Sequence, residues 1–412
     1  MISIELIRKN PDIVKASLLK RGEDLTILDE IIKKDEEYRS LLKTLENLRH
    51  ERNVASKVVA DLKAKGEKFD KEVSKVNKIN EEIKKLEDKV RNMKQEINEK
   101  LLWIPNIVHE DVPEKEDKVI KKWGEIPKFK FEPKGHYEIL SRLGADFERA
   151  SKVSGARFSY ISDKLVILEM ALARFAIDFM VKKGFKVFMT PHLVRSRAMY
   201  GTGHFPRGKE DAYKIENEDL VLIGTSEVSL ASYHSDEIVK DLPLRYSGFT
   251  PCYRTEAAAH GRDTKGMFRT HEFYKIEQFI FCKEEDSWKE HELLRQNVEE
   301  FYKLLGLPYR IVIVNSKDMG NAASKQYDLE GWFPSQGMYR EVVSCSNTLD
   351  YQARRLNIKY MEKGRKKYVH TLNSTLVAIE RTITAIAENY QTADGHIKIP
   401  SVLVPYTGFD EI

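Results

Sequence analysis

Between Leu28 and Leu101 the chain carries no proline, a single glycine and a dense mixture of lysine and glutamate, and this stretch constrains the fold more than any other. In its second half Val76, Ile83, Val90 and Ile97 recur every seven residues, with Ile79, Leu86 and Met93 three residues after the first three of them. In its first half Ile31, Tyr38, Leu45 and Val59 align with Leu41, Leu48, Ala55 and Leu62 in the same way. Such a/d spacing belongs to helices that pack along a narrow seam. Gly66 is the one place between the halves where the chain can reverse, so the spacing predicts a long antiparallel helical hairpin. Each helix of roughly 35 residues would reach about 50 Å, too long to pack whole against a domain of this size. Heptads alone fit a dimerisation arm or an arm that grips an elongated partner through lysines such as Lys63, Lys65, Lys75 and Lys78. Acidic residues nearly balance those lysines, so charge does not decide between the two.

The remaining text divides around this arm. Residues 1–24 read as a short helical cap punctuated by Asn10-Pro11. Residues 104–135 read as a connector broken by Pro105, Pro113, Pro127 and Pro133. Beyond it, apolar helices (Leu165–Lys183, Thr375–Tyr390) alternate with short strands at Val187–Met189, Leu220–Ile223, Cys252–Glu256, Phe273–Cys282, Tyr309–Val314 and Arg340–Ser344. Hairpin-like connections rather than regular βαβ spacing predict an α+β fold with a mostly antiparallel sheet. Domains are expected at 1–110, with the arm at about 28–101, and at 111–412.

Net charge is +4 for 412 residues, so any nucleic-acid contact must come from local patches rather than a global field. Cys252, Cys282 and Cys345 are odd in number and far apart, which suits neither a disulfide framework nor a zinc ribbon. With no secretory leader and no apolar run of membrane-spanning length, a cytoplasmic protein without a membrane partner is expected.

The segment Tyr253–Glu277, Y-R-T-E-A-A-A-H-G-R-D-T-K-G-M-F-R-T-H-E-F-Y-K-I-E, reads as strand, small basic loop and strand. Alternation puts Arg254 and Glu256 on one face and Phe273 and Glu277 on another. If the faces coincide, an arginine, two carboxylates and an aromatic ring converge under a mobile loop, Ala257–Met267. That is a way to hold a nucleotide beside an amino acid. Taken alone, the same segment fits an exposed charged hairpin.

Further stretches decide the matter. They are W-I-P-N from Trp103, F-E-R-A-S-K-V-S-G-A-R-F from Phe147, M-Y-G-T-G from Met199 and G-T-S-E-V from Gly224. R-E-V-V-S-C-S-N-T-L-D-Y-Q-A-R-R from Arg340 and H-T-L-N-S-T-L-V-A-I-E-R-T-I-T-A-I-A-E-N-Y-Q from His370 follow. Together with the arm they resemble the class II aminoacyl-tRNA synthetases over the whole chain, specifically the seryl-tRNA synthetase family. H-I-G-H, K-M-S-K-S and a P-loop are absent.

The resemblance implies an ATP-dependent ligase that forms seryl-adenylate from L-serine and passes the seryl group to the terminal adenosine of tRNA(Ser). It assigns Arg254 to the α-phosphate and Arg381 to the γ-phosphate, the two residues expected to be catalytic. Glu256 would take the adenine amino group and Phe273 would stack on the ring, with Thr255, Thr270, Val342 and Val343 completing the ATP site. Glu341 and Ser344 would hold Mg²⁺ with ATP. Their odd spacing puts them on opposite faces of a regular strand, so a bulge or strand end is expected between them. Thr225, Ser226, Glu227, Glu277 and Thr375 would bind serine. No zinc is implied. Phe175–Lys183, Gly184-Phe185 and Thr190-Pro191 resemble motif 1, which implies a homodimer in which one subunit's arm grips tRNA bound at the other.

One departure stands out. Glu380 replaces a glycine or threonine beside Arg381, and a carboxylate there could pair with Arg381 and compete with phosphate. Two other classes compete with the ligase. Relatives that load a carrier protein lack the long hairpin, and a catalytically dead paralogue would not keep Arg254, Glu256, Glu277, Glu341 and Arg381 together.

Overall fold

A computed structural model describes residues 1–257, 263 and 265–412. Most of the loop expected over Ala257–Met267 therefore lies outside the described residues. The chain falls into two compact units, residues 3–104 and residues 1–2 with 105–412.

The first unit is helical: α1 (Ile4–Lys9), α2 (Pro11–Lys20), α3 (Thr26–Ala64) and α4 (Asp70–Leu101). Ser3 caps α1 by accepting from the Glu5 backbone N–H, and Pro11 opens α2, where its missing N–H costs nothing. Helices α3 and α4 pack as the heptads predict. Ile31, Leu45, Ala55, Ile79, Ile83 and Ile97 are buried, and Leu48, Leu86 and Val90 pack beside them. Reversal occurs at Gly66, whose φ of +70° is the left-handed conformation that a glycine adopts without strain. Ion pairs tie the two helices near their base, Lys34 to Glu96 and Lys100 to Glu30, and Arg49 meets Glu87 at 2.8 Å further out.

The second unit is built on one eight-stranded sheet. Its strands are β1 (Lys118–Trp123), β2 (Lys186–Met189), β3 (Leu244–Tyr253), β4 (Glu272–Cys282), β5 (Tyr309–Ile313), β6 (Lys325–Phe333), β7 (Met338–Asn347) and β8 (His370–Ala378). Their spatial order is β1-β5-β6-β7-β8-β4-β3-β2. Every neighbouring pair is antiparallel except β2 with β3. This is the antiparallel-rich α+β core expected from the sequence. Helices α5 (Lys164–Lys182), α6 (Ser287–Leu304) and α7 (Ile379–Asn389) flank it. On the face covered by α6, Asn297 donates to Gln278 at 2.9 Å, and His291 meets the Cys345 carbonyl at 3.2 Å. The opposite face carries the site.

Three differences from the sequence reading have physical causes. Residues 370–378, half assigned to a helix, form a central strand buried along nearly its whole length, and helix begins only at Ile379. A strand covered on both faces has no alternation to reveal it, and its apolar run reads equally well as helix. β1 lies inside the supposed connector, where K-V-I-K-K-W is an exposed edge strand with a charged pattern. Residues 105–110, grouped with the arm in the sequence reading, are held in the second unit. There the Asn106 side chain donates to the carbonyls of Ala322 at 2.9 Å and Thr348 at 2.7 Å. Among the described residues, no helix is long and apolar enough to cross a membrane.

A cluster of carboxylates under the sheet gives one testable consequence. Glu169 on α5 and Glu380 on α7 are both buried. Burial, with Glu272 nearby, pushes Glu169 up to about 7; burial, with Glu169 nearby, raises Glu380 as well. A carboxyl whose folded pKa is raised contributes stability present at low pH and lost as pH climbs from its unfolded value to its folded one. We expect Glu169→Gln to raise the melting temperature by a few degrees at about pH 8 and to leave it nearly unchanged near pH 4.5. Thermal melts across that range check it; an equal shift at both ends would assign the effect to packing.

Candidate active site

The site forms where β3, β4 and β8 lie side by side. Glu277 on β4 stands opposite Gly248 on β3 and Thr375 on β8. Strand alternation then places Phe273, Lys275 and Glu277 along one face. Gly248 is glycine for a reason of space. A Cβ there would come within 2.9 Å of the Ser226 Cβ and Oγ, so its absence lets the turn Thr225-Ser226-Glu227 rest on the sheet.

The floor of this pocket, about 230 Å³ in volume, holds two carboxylates and one lysine. Lys275 lies 2.5 Å from Glu277 and donates to Thr225 Oγ1 at 2.8 Å. Thr375 Oγ1 donates to Glu277 at 3.3 Å. Glu227 accepts from Gln352 at 2.6 Å and Asn373 at 3.0 Å. Burial raises both carboxyls; Lys275 opposes this at Glu277, and Gln352 and Lys275 oppose it at Glu227. One lysine against two carboxylates leaves room for one further cation.

Arg254 stands at the rim. Its Nε donates to the Gly224 carbonyl at 3.2 Å, and its guanidinium lies 5.2 Å from the centre of the Phe273 ring. Among the described residues no carboxylate pairs with it. A partly buried guanidinium without a counter-anion, opening into a cavity, is an anion site in waiting. Phe273 is half-buried and lines the cavity rather than the core. Arg254 and Glu256 lie just beyond the end of β3, not on a continuing strand. Glu256, in left-handed backbone at φ +52°, is held by Arg269 at 2.7 Å.

At the other end Arg381, near the start of α7, donates to the Phe268 carbonyl at 3.2 Å and lies 3.4 Å from Glu341. Glu380 turns the opposite way. Both its oxygens accept from the Tyr274 backbone N–H at 2.9 Å, so it makes no pair with Arg381. The expected competition does not arise, because the start of β4 offers this carboxylate a backbone donor.

Glu341 and Ser344 share the cavity wall with Val342. The pairing of β6 with β7 shows how. Leu329 faces Val343, whereas the next residue, Glu330, faces Glu341, leaving Val342 as the extra residue of a bulge. The bulge expected from the spacing turns both oxygen ligands to one side. Asp328, opposite Ser344 on β6, is held well above the usual carboxylate range by burial and by Glu341. The Glu341 carboxylate and the Ser344 hydroxyl are hard oxygen donors of the kind a magnesium ion takes.

Not every candidate reaches the cavity. Thr255 Oγ1 donates to the Glu210 carbonyl at 2.7 Å, Ser226 is buried against Gly248, and Val343 is a core residue. Thr270 is buried beside Phe273 and Arg381 in the adjoining crevice. Sequence reasoning missed Lys275, His204, Asn373, Gln352 and Arg269. Lys275 was within its reach, since the alternation that aligned Phe273 with Glu277 passes through it.

Known proteins resemble this chain along its whole length. The family model described as the tRNA synthetase class II core domain (G, H, P, S and T) matches residues 212–390, and that of the seryl-tRNA synthetase N-terminal domain matches residues 1–108. A serine–tRNA ligase of Thermococcus sibiricus is 45% identical, covering 100% of this chain and 97% of its own. The crystal structure of seryl-tRNA synthetase from Pyrococcus horikoshii complexed with ATP superposes with a TM-score of 0.97 at 44% identity, covering 100% of this chain and 99% of its own. The cytoplasmic enzyme of Naegleria fowleri in complex with AMP gives 0.92 at 33%, covering 100% and 98%.

Proposed function

The chain belongs to the seryl-tRNA synthetase family of class II aminoacyl-tRNA synthetases, ATP-dependent serine–tRNA ligases, and from that premise we propose how its residues divide the work. The serine ammonium sits between Glu227 and Glu277 and supplies the missing cation. Thr375 and Thr225 meet the serine hydroxyl, and Ser226 supports the Thr225 turn from behind. Arg254 grips the α-phosphate, which the serine carboxylate attacks as pyrophosphate leaves. The fork of the guanidinium suits an oxyanion pair whose charge grows during attack. Phe273 stacks on adenine, and Glu256 accepts from its amino group while Arg269 steadies the carboxylate. Val342 and Thr270 line the ATP site and its adjoining crevice, and Thr255 and Val343 support it from behind.

Arg381 releases Glu341 and takes the γ-phosphate. Glu341 and Ser344 would hold Mg²⁺, which would neutralise phosphate charge when bound with ATP. The observation that carries this reading is the charge pattern: two carboxylates with one lysine on the pocket floor, and Arg254 at the rim with no carboxylate partner among the described residues.

A pocket that hydrogen-bonds a hydroxyl rejects alanine because its own polar groups would be left unpaired. Thr375→Ala removes one such group and is expected to narrow the preference for serine over alanine about tenfold or more. Adenylate formation with the two amino acids measures the ratio. An unchanged ratio would place hydroxyl recognition elsewhere.

The helical unit, residues 3–104, is proposed as the tRNA(Ser)-binding domain, with Lys63, Lys65, Lys75 and Lys78 exposed along the arm, and the unit built on the sheet as the catalytic domain. A homodimer is supported by apolar side chains left open on α5 and on edge strand β2. Val166, Ile167 and Met170 are exposed, and Met189 is 79% exposed. A large methionine so bare on an unpaired strand edge is a liability that a second copy would cover. The cytoplasm is the proposed location.

A further inference from the structure

Beyond Arg254 the cleft opens into a second cavity of about 410 Å³, lined by Met199, His204, Asp211, Tyr253, Arg254 and Glu256 among others. His204 and Arg254 line both spaces and so mark the boundary between them, while Glu256 and Arg269 stand between the second cavity and the crevice beside Phe273 that is given to adenine above. The role of Arg254 is accounted for above; that of His204 is not.

His204 is tied to the chain through Thr202. Thr202 Oγ1 has one proton to donate, and it lies 3.0 Å from the Ala198 carbonyl and 3.3 Å from that of Met199, both in its own short helix. The same oxygen is 2.9 Å from His204 Nδ1. When that proton goes to either carbonyl, Oγ1 accepts from the ring and Nδ1 carries the hydrogen, and this is the arrangement the proposal below requires. Burial, with Arg254 and Lys275 nearby, pushes the imidazole down to about 4, and the ring is neutral near pH 7. A neutral ring protonated at Nδ1 presents a bare lone pair at Nε2. Among the described residues Nε2 has no hydrogen-bond partner, and His204 lines both cavities.

A fixed acceptor at the mouth of the serine pocket, flanked by a phosphate-seeking guanidinium, fits a sugar hydroxyl approaching from the second cavity. We propose that His204 Nε2 accepts the proton of the attacking ribose hydroxyl in the transfer step, with the terminal nucleoside of the tRNA seated in the second cavity. This rests on the seryl-adenylate reading of the first pocket.

The step balances as follows. The ribose oxygen bonds to the seryl carbonyl carbon while its proton passes to Nε2. The bond from that carbon to the bridging oxygen breaks, and AMP leaves with the electron pair as a phosphate dianion. The imidazolium then returns its proton to that phosphate or to solvent. Burial does most to keep the free ring neutral, and a phosphate on Arg254 offsets one of the two cations that add to it, so the basicity of Nε2 rises when the adenylate is in place.

Two variants test the assignment, His204→Ala and His204→Gln. The glutamine keeps a donor toward Thr202 and an acceptor toward the cavity but takes no proton. Serine-dependent ATP–pyrophosphate exchange reads the first half-reaction, and single-turnover transfer from preformed seryl-adenylate reads the second. Transfer is expected to fall about 10²-fold or more, at least tenfold beyond any fall in exchange, in both variants. Equal losses in the two assays, or no loss in transfer, would overturn the proposal. So would a change confined to the KM for serine, which would make His204 an amino-acid contact. Absence of serine-dependent exchange in the unaltered protein would instead sink the reading of the first pocket.

Discussion

Arg254→Ala is expected to lower serine-dependent ATP–pyrophosphate exchange by about 10³-fold or more while the protein stays folded. The magnitude follows from where the side chain stands. Its Nε is held by the Gly224 carbonyl and its plane lies near the Phe273 ring, so the remaining N–H groups are aimed without help from any carboxylate among the described residues. A group fixed in advance costs little reorganisation as charge develops on the α-phosphate. The fold loses little, because truncating a rim guanidinium with no acidic partner leaves no buried charge orphaned. Arg254→Lys sharpens the test: it keeps the charge, loses the fork, and is expected to fall between the other two. Exchange near the level of the unaltered protein in the alanine variant would remove Arg254 from the site.

Replacing Leu41–Met93 by a short turn is expected to leave exchange within about twofold while reducing tRNA charging about 10²-fold or more. The cut removes the seam residues Leu45, Ile79 and Ile83, and with them most of the length of both helices. It spares the base, where Lys34 still meets Glu96, Lys100 still meets Glu30, and Ile31 and Ile97 stay buried. The shortened hairpin can thus close on itself. The two half-reactions ask different things of the chain: adenylate formation needs only the pocket on the sheet, whereas charging needs an RNA brought to it. Charging that survived the deletion would make the arm a structural appendage. Exchange that collapsed with it would show that the arm supports the second unit.

How legible the molecule is in its sequence depends on whether a residue's constraint is local. The arm is legible because each heptad repeats the same constraint, and Gly66 marks the only break. The Glu341–Ser344 bulge is legible because a spacing of three contradicts a regular strand, and a contradiction between two expectations points to a feature. The helix beginning at Ile379 is misread as starting at Thr375, since a strand covered on both faces gives the same apolar run as a buried helix. The direction of Glu380 is out of reach for a different reason: its partner, the Tyr274 backbone, is brought near by folding and not by sequence. The same holds for His204, whose ring is tied to Thr202, two residues away, but whose meaning comes from the two cavities it borders.

The central claim is that this pocket activates serine with ATP. Amino-acid-dependent ATP–pyrophosphate exchange, run with each of the twenty amino acids and with and without Mg²⁺, tests it most directly. Exchange with serine alone, and only when Mg²⁺ is present, is the predicted result. Exchange with a different amino acid, or none with any of the twenty from folded protein, would contradict it.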